Sequence, residues 1–157
     1  MSPADVEILT LRGTELRSAE AFYQALGHGP TLGLDETVLL ARSGEISLGA
    51  VRLVCEQGVL VLRTMLVHPD WQQRGVGTAL LHKLVQLVQD HECFCLPWDY
   101  LVEFYAGSGF HRVDAAELPP FLQDRLRQYQ AAGQAIVAMR RPRRDIIPQL
   151  DSSGSAG

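Results

Sequence analysis

The stretch VHPDWQQRGVGTALL, residues 67–81, lies where an apolar strand gives way to an amphipathic helix. The apolar run ends at Val67, a polar turn follows, and Gly75 and Gly77 occupy the first turn of the helix. The N–H groups at a helix start have no intrahelical partner, and the helix dipole adds positive potential there. Because glycine has no Cβ, a phosphate can lie directly against this backbone. The stretch therefore predicts a phosphate site, with pyrophosphate as the preferred ligand.

The pattern of this loop excludes two common nucleotide motifs. GxxxxGK[ST] is absent, and GxGxxG is absent because Leu80 holds the place of its third glycine. The pattern that remains, QxxGxG at Gln72–Gly77, resembles the Q/R-x-x-G-x-G/A motif of the GNAT superfamily of acyl-CoA-dependent N-acetyltransferases. A second segment, FYAGSGF at residues 104–110, resembles the F-Y-x-x-x-G-F signature of the same family. The resemblance extends to the order of elements from Val6 to Arg140.

Apolar periodicity and turn residues outline the remaining elements. Strands are predicted at Val6–Arg12, Thr37–Arg42, Ile46–Glu56, Val59–Val67, Cys93–Leu96, Gly109–Val113 and Ala135–Arg140. Helices are predicted from the cap Thr14 to Leu26, over Gly75–His91, from the cap Asp99 to Tyr105, and from Pro119 to Gly133. The short turns between residues 37 and 67 predict an antiparallel meander.

The resemblance implies an α/β (α+β) fold in one GNAT-like domain over residues 1–141. Its central sheet would be mixed and mostly antiparallel, with six to seven strands flanked by about four helices. Residues 142–157 are predicted to form a flexible C-terminal tail, because serine and glycine dominate their end and few residues there can anchor them.

Composition narrows the classes of partner. Of the 157 residues 46% are apolar, which predicts a packed core, and the net charge of -4 argues against a nucleic-acid partner. We expect no membrane association, because no apolar run approaches the ~20 residues of a transmembrane helix and no signal peptide is visible. The odd count of three cysteines favours a reducing, cytoplasmic location.

Two clusters have competing interpretations. His91, Cys93 and Cys95 alternate along the sequence, so that an extended backbone would put them on one face, and they could ligate zinc. No second ligand pair exists, so we expect core cysteines and no metal. Four arginines at positions 140, 141, 143 and 144 form a basic cluster. An acidic chain favours a solvated tail over a nucleic-acid arm at this position.

The resemblance also implies a mechanism with acetyl-CoA as co-substrate. Its pyrophosphate would lie on the N–H groups of Gln73–Thr78, and its pantetheine arm would pair with the backbone of Met65 and Val67 as an added strand. The amine would attack the thioester directly in the gap before the next strand, and Tyr105 would act as general acid to the departing thiolate. The residues implied at the coenzyme site are Met65, Leu66, Val67, Gln72, Gln73, Arg74, Gly75, Val76, Gly77 and Thr78.

The strand before the glycine loop departs from the family pattern. Many members carry a carboxylate there as general base, whereas this chain has Arg63 and Thr64. Other candidates for the base are His68, Glu45, Glu103 or a water chain, and the sequence does not rank them. We therefore expect weak base assistance and an acceptor amine of low pKa.

Alternatives remain for the function as a whole. The two glycines could permit tight strand–helix packing, and the missing carboxylate suits a non-catalytic acyl-CoA sensor. A nucleotide-binding regulator could use the same helix start. The acceptor, a small-molecule or peptide amine, would bind between Leu16–Asp35, the loops of the first hairpin and the helix at Pro119–Gly133. The long segment Asp114–Gly133 could cap this site or contact a second subunit in a homodimer.

Overall fold

The computed structural model describes residues 5–30, 32–33 and 35–144. Within these residues the helices are α1 (Leu16–Ala25), α2 (Val76–Val88), α3 (Val102–Ala106) and α4 (Pro120–Ala131). The strands are β1 (Glu7–Leu11), β2 (Thr37–Ser43), β3 (Ile46–Glu56), β4 (Val59–Val67), β5 (Cys93–Cys95), β6 (His111–Arg112) and β7 (Met139–Arg141). Short 3-10 turns precede α1 and α3 and follow β4 and β6.

The seven strands form one sheet in the order β1-β2-β3-β4-β5-β7-β6. Strands β2 to β4 form the predicted antiparallel meander, joined by tight turns at Ser43–Ile46 and Glu56–Val59, and β1 pairs antiparallel with β2. Only β4 and β5 are parallel neighbours in the described sheet, because α2 carries the chain across between them. The observed fold is therefore the mixed, mostly antiparallel α+β architecture that the sequence predicts.

The sheet opens at its centre. The pairing of β4 with β5 covers three residue pairs, from Leu60 with Cys93 to Leu62 with Cys95. Beyond Leu62 the β5 side of β4 has no strand partner in the described chain, so backbone groups of Arg63–Val67 face a gap. A β-bulge lies at the start of this free edge, because Ala50 pairs with Leu66 whereas Arg52 pairs with Arg63.

The helices cover both faces of the sheet and thereby define two sides of the gap. One face packs against α2 and α3 through a core that includes Leu80, Leu84 and Tyr105. The opposite face packs against α1 through Phe22 and against α4 through Leu122. In α2 the buried residues recur at helical spacing, which explains why its stripe predicts a helix correctly.

Several local predictions were wrong. Thr14 lies inside a 3-10 turn, so it does not cap α1, and Trp98 with extended backbone takes the capping position expected for Asp99. The last strand is Met139–Arg141, later than predicted, because residue 136 forms only an isolated bridge with Trp98. Each of these ends depends on tertiary neighbours that local propensity does not encode.

Of the four clustered arginines, Arg143 and Arg144 are exposed beyond the last strand, whereas Arg140 and Arg141 are not part of a solvated tail. Arg140 and Arg141 belong to β7, and Arg140 pairs with Glu92. Arg141 is buried, and its guanidinium donates hydrogen bonds to the carbonyl oxygens of Ser108 and Gln89. Of the predicted tail, residues 142–144 are described, and residues 145–157 lie outside the described residues.

Candidate functional site

The start of α2 is open, as the phosphate-site prediction requires. Gly75 occupies the capping position with φ 85°, and Gln73 also has a positive φ of 62°. No side chain caps the helix, and residues 72–75 are exposed. A Cβ on Gly75 would meet no atom within 4 Å. The N–H groups from Gly75 to Thr78 therefore point from the helix end without an intrahelical partner, in the arrangement that binds anions.

Gly77 differs from Gly75 in its surroundings. A Cβ at Gly77 would lie 3.5 Å from Phe104 Cζ and 3.7 Å from Val67 Cγ2, which is ordinary contact. The glycine thus borders the seam between α2, the end of β4 and α3. Both interpretations of this residue, close backbone approach and strand–helix packing, are compatible with this position.

The remaining loop residues shape this turn. The Gln72 side chain donates a hydrogen bond of 3.3 Å to the Val67 carbonyl oxygen, which ties the loop to the end of β4. The guanidinium of Arg74 lies 5.1 Å from the centre of the Trp71 ring, in cation–π range. The loop therefore presents a positive side chain beside the vacant backbone donors.

A cavity of about 350 Å³ occupies the gap between β4 and β5. It is lined by residues from the free edge of β4, from the segment after β5, from α3 and from α4. The residues that line it are His28, Val61, Leu62, Arg63, Thr64, Met65, Leu66, Cys95, Leu96, Pro97, Trp98, Leu101, Tyr105, Arg125, Tyr129, Gln134 and Ile136. Tyr105, Met65 and Leu66, which the family resemblance implies as site residues, are thus brought to the same cavity, whereas Val67 and Gln72–Thr78 are not among its lining residues.

A buried polar network supports the bulge at the cavity wall. Thr64 has φ 48°, a conformation that non-glycine residues rarely adopt. Its carbonyl oxygen accepts a hydrogen bond of 2.7 Å from Tyr23, and its hydroxyl accepts one of 3.3 Å from Arg52. Arg52 is itself held by a buried two-pronged pair with Glu36, at 2.8 and 2.9 Å. The network fixes where the free edge of β4 begins.

Tyr105 lies on α3 with 3% of its surface exposed, and it lines the cavity. Its ring packs edge-to-face against Phe104 and Phe110, with centroids 4.9 and 6.0 Å away. No hydrogen bond to its hydroxyl forms within the described part of the chain. Burial raises the pKa of the Tyr105 phenol well above its ordinary value, and the nearby Cys95 thiol adds to the rise. The phenol is therefore protonated at physiological pH.

Cys95 also borders the cavity, but its surroundings suppress nucleophilic chemistry. The side chain is buried, and desolvation raises the pKa of the thiol well above its ordinary value. Only the thiolate is a strong nucleophile. Cys95 therefore stays protonated and is unsuited to form a covalent acyl intermediate.

The charged residues that line the cavity are basic. Arg63 and Arg125 reach it, whereas no carboxylate does among the described residues. The predicted base candidates lie elsewhere: Glu45 and Glu103 are exposed and outside the lining, and His68 accepts a hydrogen bond from the Asp70 N–H. The missing carboxylate on the strand is thus not replaced by one from another element in the described chain.

Sequence reasoning located the acceptor region only in part. The loop after α1 contributes His28, and α4 contributes Arg125 and Tyr129, as the predicted boundaries imply. The loops of the first hairpin do not line the cavity. His28 stands in a loop of unremarkable composition, so no sequence signal singled it out.

Two of the remaining expectations can be compared with the described residues. Cys93 and Cys95 are buried core residues, and no group of three or more metal-ligating side chains occurs in the ranges that the structure covers. Across the same ranges, no helix has the length and apolar character needed to span a bilayer.

Solved structures show the same fold at low sequence identity. The ribosomal-protein-S18-alanine N-acetyltransferase of Escherichia coli is 16% identical, with a TM-score of 0.66 over 90% of this chain and 96% of that one. An acyl-CoA N-acyltransferase of Pseudomonas aeruginosa is 18% identical, with a TM-score of 0.63 over 87% and 99%.

The N-acetylglutamate synthase of Neisseria gonorrhoeae, solved with coenzyme A and N-acetyl-glutamate, is 18% identical, with a TM-score of 0.64. The match covers 89% of this chain and 35% of the synthase, so the chain corresponds to about a third of that protein. No match to a curated protein sequence is found. The family profile of the acetyltransferase (GNAT) domain matches residues 15–118. Because that match spans more than half of the sequence, the chain belongs to the GNAT acetyltransferase family.

Proposed function

We propose that this protein is an N-acetyltransferase that moves an acetyl group from acetyl-CoA to an amine. The observation that carries the proposal is the gap between β4 and β5, which holds a cavity containing Tyr105 and lies beside an uncapped helix start. Such a gap lets a thioester and an amine meet inside the sheet. The family membership and the acyl-CoA chemistry named for its structural neighbours agree with this assignment.

Two parts of the chain would bind the coenzyme. The diphosphate would lie on the backbone N–H groups of Gln73–Thr78, with Arg74 adding a positive charge beside it. The pantetheine arm would extend along the free edge of β4 and pair with Met65 and Val67, whose outer backbone groups have no strand partner in the described chain. The domain at residues 1–141 would hold this whole binding surface.

The chemical step would be direct attack of the amine on the thioester carbonyl. The nitrogen forms the new C–N bond, the C–S bond breaks, and the sulfur leaves as thiolate. Holding both reactants in one cavity can contribute ~7–11 kcal/mol to the barrier reduction. The buried Cys95 thiol does not compete as a nucleophile because its pKa is raised.

Tyr105 would donate its proton to the departing thiolate. A phenol has an ordinary pKa of ~10 and a thiol one of ~8.5, so the phenol is the weaker acid. Burial raises the pKa of Tyr105 further, yet the same desolvation acts on a thiolate formed beside it. We therefore infer that Tyr105 first stabilises the sulfur by a hydrogen bond and passes its proton as the charge develops.

The acceptor amine must lose a proton in a cavity without a carboxylate. A lysine-type amine costs ~4.6 kcal/mol to deprotonate at pH 7, whereas an α-amine costs ~1–1.4 kcal/mol and an aromatic amine almost nothing. His28 is the one histidine among the described lining residues, so it is the candidate base that the cavity offers. An acceptor amine of low pKa needs the least assistance from a base to lose its proton.

Calorimetric titration with CoA and a thiol-release assay with acetyl-CoA would test the proposal. The amine panel is graded in pKa, from arylamines through peptide α-amines to lysine-type amines. We expect the protein to bind CoA, with a dissociation constant on the order of micromolar. We also expect the rate of acetyl transfer to rise as the pKa of the acceptor amine falls. A marked preference for the most basic amine would exclude the low-pKa acceptor.

The same assays separate the alternative functions. CoA uptake without transfer to any amine would favour an acyl-CoA sensor. Equal displacement of CoA by ATP would favour a nucleotide-binding regulator, because ATP lacks the pantetheine arm that pairs with β4. The cytoplasmic location remains a prediction that cell fractionation can test. The homodimer remains a prediction that analytical sedimentation can test.

A further inference from the structure

We propose that the acceptor carries a carboxylate as well as an amine, and that Arg63 binds this carboxylate at the mouth of the cavity. This inference rests on the proposed acetyl transfer, because it assigns the acceptor half of the same site. It starts from the charge of the cavity wall, where two guanidiniums occur and no carboxylate does among the described lining residues.

The charges around this mouth do not cancel. Glu56 stands behind the wall and pairs with Arg125 through two hydrogen bonds of 2.7 and 3.0 Å. It also forms an ion pair with Arg63, whose Nη1 lies 3.8 Å from Glu56 Oε2. Two guanidinium charges against one carboxylate leave one net positive charge at half-buried positions, where screening by water is incomplete. The Arg125 hydrogen bond is also the largest cause that lowers the pKa of Glu56, so this carboxylate stays ionised.

The two arginines are not equivalent. Arg125 is committed to Glu56 by both terminal nitrogens and packs 5.6 Å from the Phe121 ring centre. Arg63 forms no hydrogen bond within the described part of the chain, and 29% of its side chain is exposed. Apart from its ion pair with Glu56, the guanidinium therefore keeps N–H donors that can bind a carboxylate through two parallel hydrogen bonds, which is the geometry that guanidinium favours.

The position of Arg63 separates this site from the coenzyme site. Arg63 pairs across the sheet with Arg52, which contacts Glu36 and Thr64 on the α1 side. Helix α2, whose start would bind the diphosphate, packs on the opposite face of the sheet. The Arg63 guanidinium thus lies on the side from which the second substrate would enter, and the coenzyme phosphates would have their own donors on the other side.

A positive wall also changes the chemistry of the amine. An ammonium entering the cavity is repelled by the net positive charge, so the neutral amine is the favoured bound form. A carboxylate on the same molecule supplies the attraction that a simple amine lacks. The volume of about 350 Å³ suits a small molecule. We therefore infer a compact amino acid-like or aminobenzoate-like acceptor, with its amine directed toward Tyr105.

A matched pair of acceptors tests the inference. Para-aminobenzoate and para-aminobenzamide have the same ring and an aromatic amine that is neutral at pH 7, but only the first carries a carboxylate. We expect kcat/KM for the acid to exceed that for the amide by about tenfold or more. Equal values for the two compounds would overturn the inference and leave acetyl transfer itself standing.

Two variants locate the effect. In Arg63→Gln we expect the acid-to-amide ratio of kcat/KM to fall to about one, with CoA affinity within a few-fold of that of the unaltered protein. Arg127→Gln is the control: Arg127 lies on α4, is 70% exposed in its side chain and pairs with Asp124 outside the cavity. A ratio that survives Arg63→Gln, or falls equally in both variants, would contradict the assignment to Arg63.

Binding without turnover keeps the test independent of catalysis. Benzoate and benzamide, which lack the amine, are titrated by calorimetry into the protein saturated with CoA. Preference for benzoate that is lost in Arg63→Gln supports the anion site even if neither arylamine is acetylated. No preference overturns it. Failure to bind CoA at all would instead refute the proposed function, and the same benzoate and benzamide titrations, run without CoA, then still decide the charge selectivity of the cavity.

Discussion

Replacement of Gly77 by aspartate places a carboxylate where the coenzyme diphosphate is proposed to bind. The Cβ fits, because its distances of 3.5 Å to Phe104 Cζ and 3.7 Å to Val67 Cγ2 are ordinary contacts. An acidic residue in the first turn of a helix is stabilising by ~0.3–1 kcal/mol, and glycine in a helix is unfavourable by up to ~1 kcal/mol. The variant should therefore fold at least as stably as the unaltered protein.

Its affinity for CoA should fall steeply. Two like charges ~4 Å apart repel by ~1 kcal/mol in water and by ~4 kcal/mol at the effective dielectric of a protein surface. The dissociation constant should therefore rise by a factor of roughly five to one thousand, and the diphosphate charge favours the upper part of that range. The effect should shrink in high salt, because exposed charges are then screened.

Calorimetric titration with CoA measures the change, and thermal unfolding verifies the fold. Gly77→Asn is the matched control because it has the same shape without the charge. We expect its dissociation constant to lie about tenfold or more below that of the aspartate variant. If the two variants bind CoA equally, charge is not the cause. If the aspartate variant binds as tightly as the unaltered protein, the diphosphate does not lie at the start of α2.

Three further predictions follow from buried groups. Tyr105→Phe should lower kcat about a hundredfold or more in the thiol-release assay with CoA affinity nearly unchanged, and equal turnover would exclude the phenol from the mechanism. Arg52→Met should lower the free energy of unfolding in urea by ~3–5 kcal/mol, because Glu36 would then be a buried charge without its partner; a loss below ~1 kcal/mol would contradict this account. Burial raises the pKa of Cys95 and Tyr105, so the folded state holds their protons more tightly. Stability is therefore full below the unfolded thiol pKa of ~8.5 and declines as the pH rises above it, and thermal unfolding from pH 7 to 10 should show a shallower decline in Cys95→Ala.

The parts of the fold that local pattern encodes were predictable. The meander from Thr37 to Val67 has tight turns between strands whose residue types favour extended backbone, so its limits are correct within one residue. Helix α2 was predictable from the helical spacing of its apolar residues. The backbone N–H groups without an intrahelical partner at its start were predictable from Gly75. Strand β6 was harder, because only His111–Arg112 pair with β7 and the pairing depends on distant residues.

The cavity was predictable only in outline. The pair of Arg52 and Glu36 joins residues from two elements, and no spacing rule links them. No glycine in the sequence marks the bulge at Thr64. The positive φ of Thr64 is supported instead by its hydrogen bonds with Tyr23 and Arg52. His28 and Arg125 reach the cavity from opposite ends of the chain sequence. Such contacts arise from tertiary packing, and a single sequence does not show them.

The brief parallel pairing of β4 with β5 has a consequence for how such a chain can diverge. Backbone hydrogen bonds join strands β1 to β4 to strands β5 to β7 over three residue pairs, Leu60–Leu62 with Cys93–Cys95. Helix α4 and the segment after β5 can therefore change in sequence while strands β1 to β4 keep their register. Cavity-lining residues from that side, such as Trp98 and Tyr129, can diverge without altering the free edge of β4.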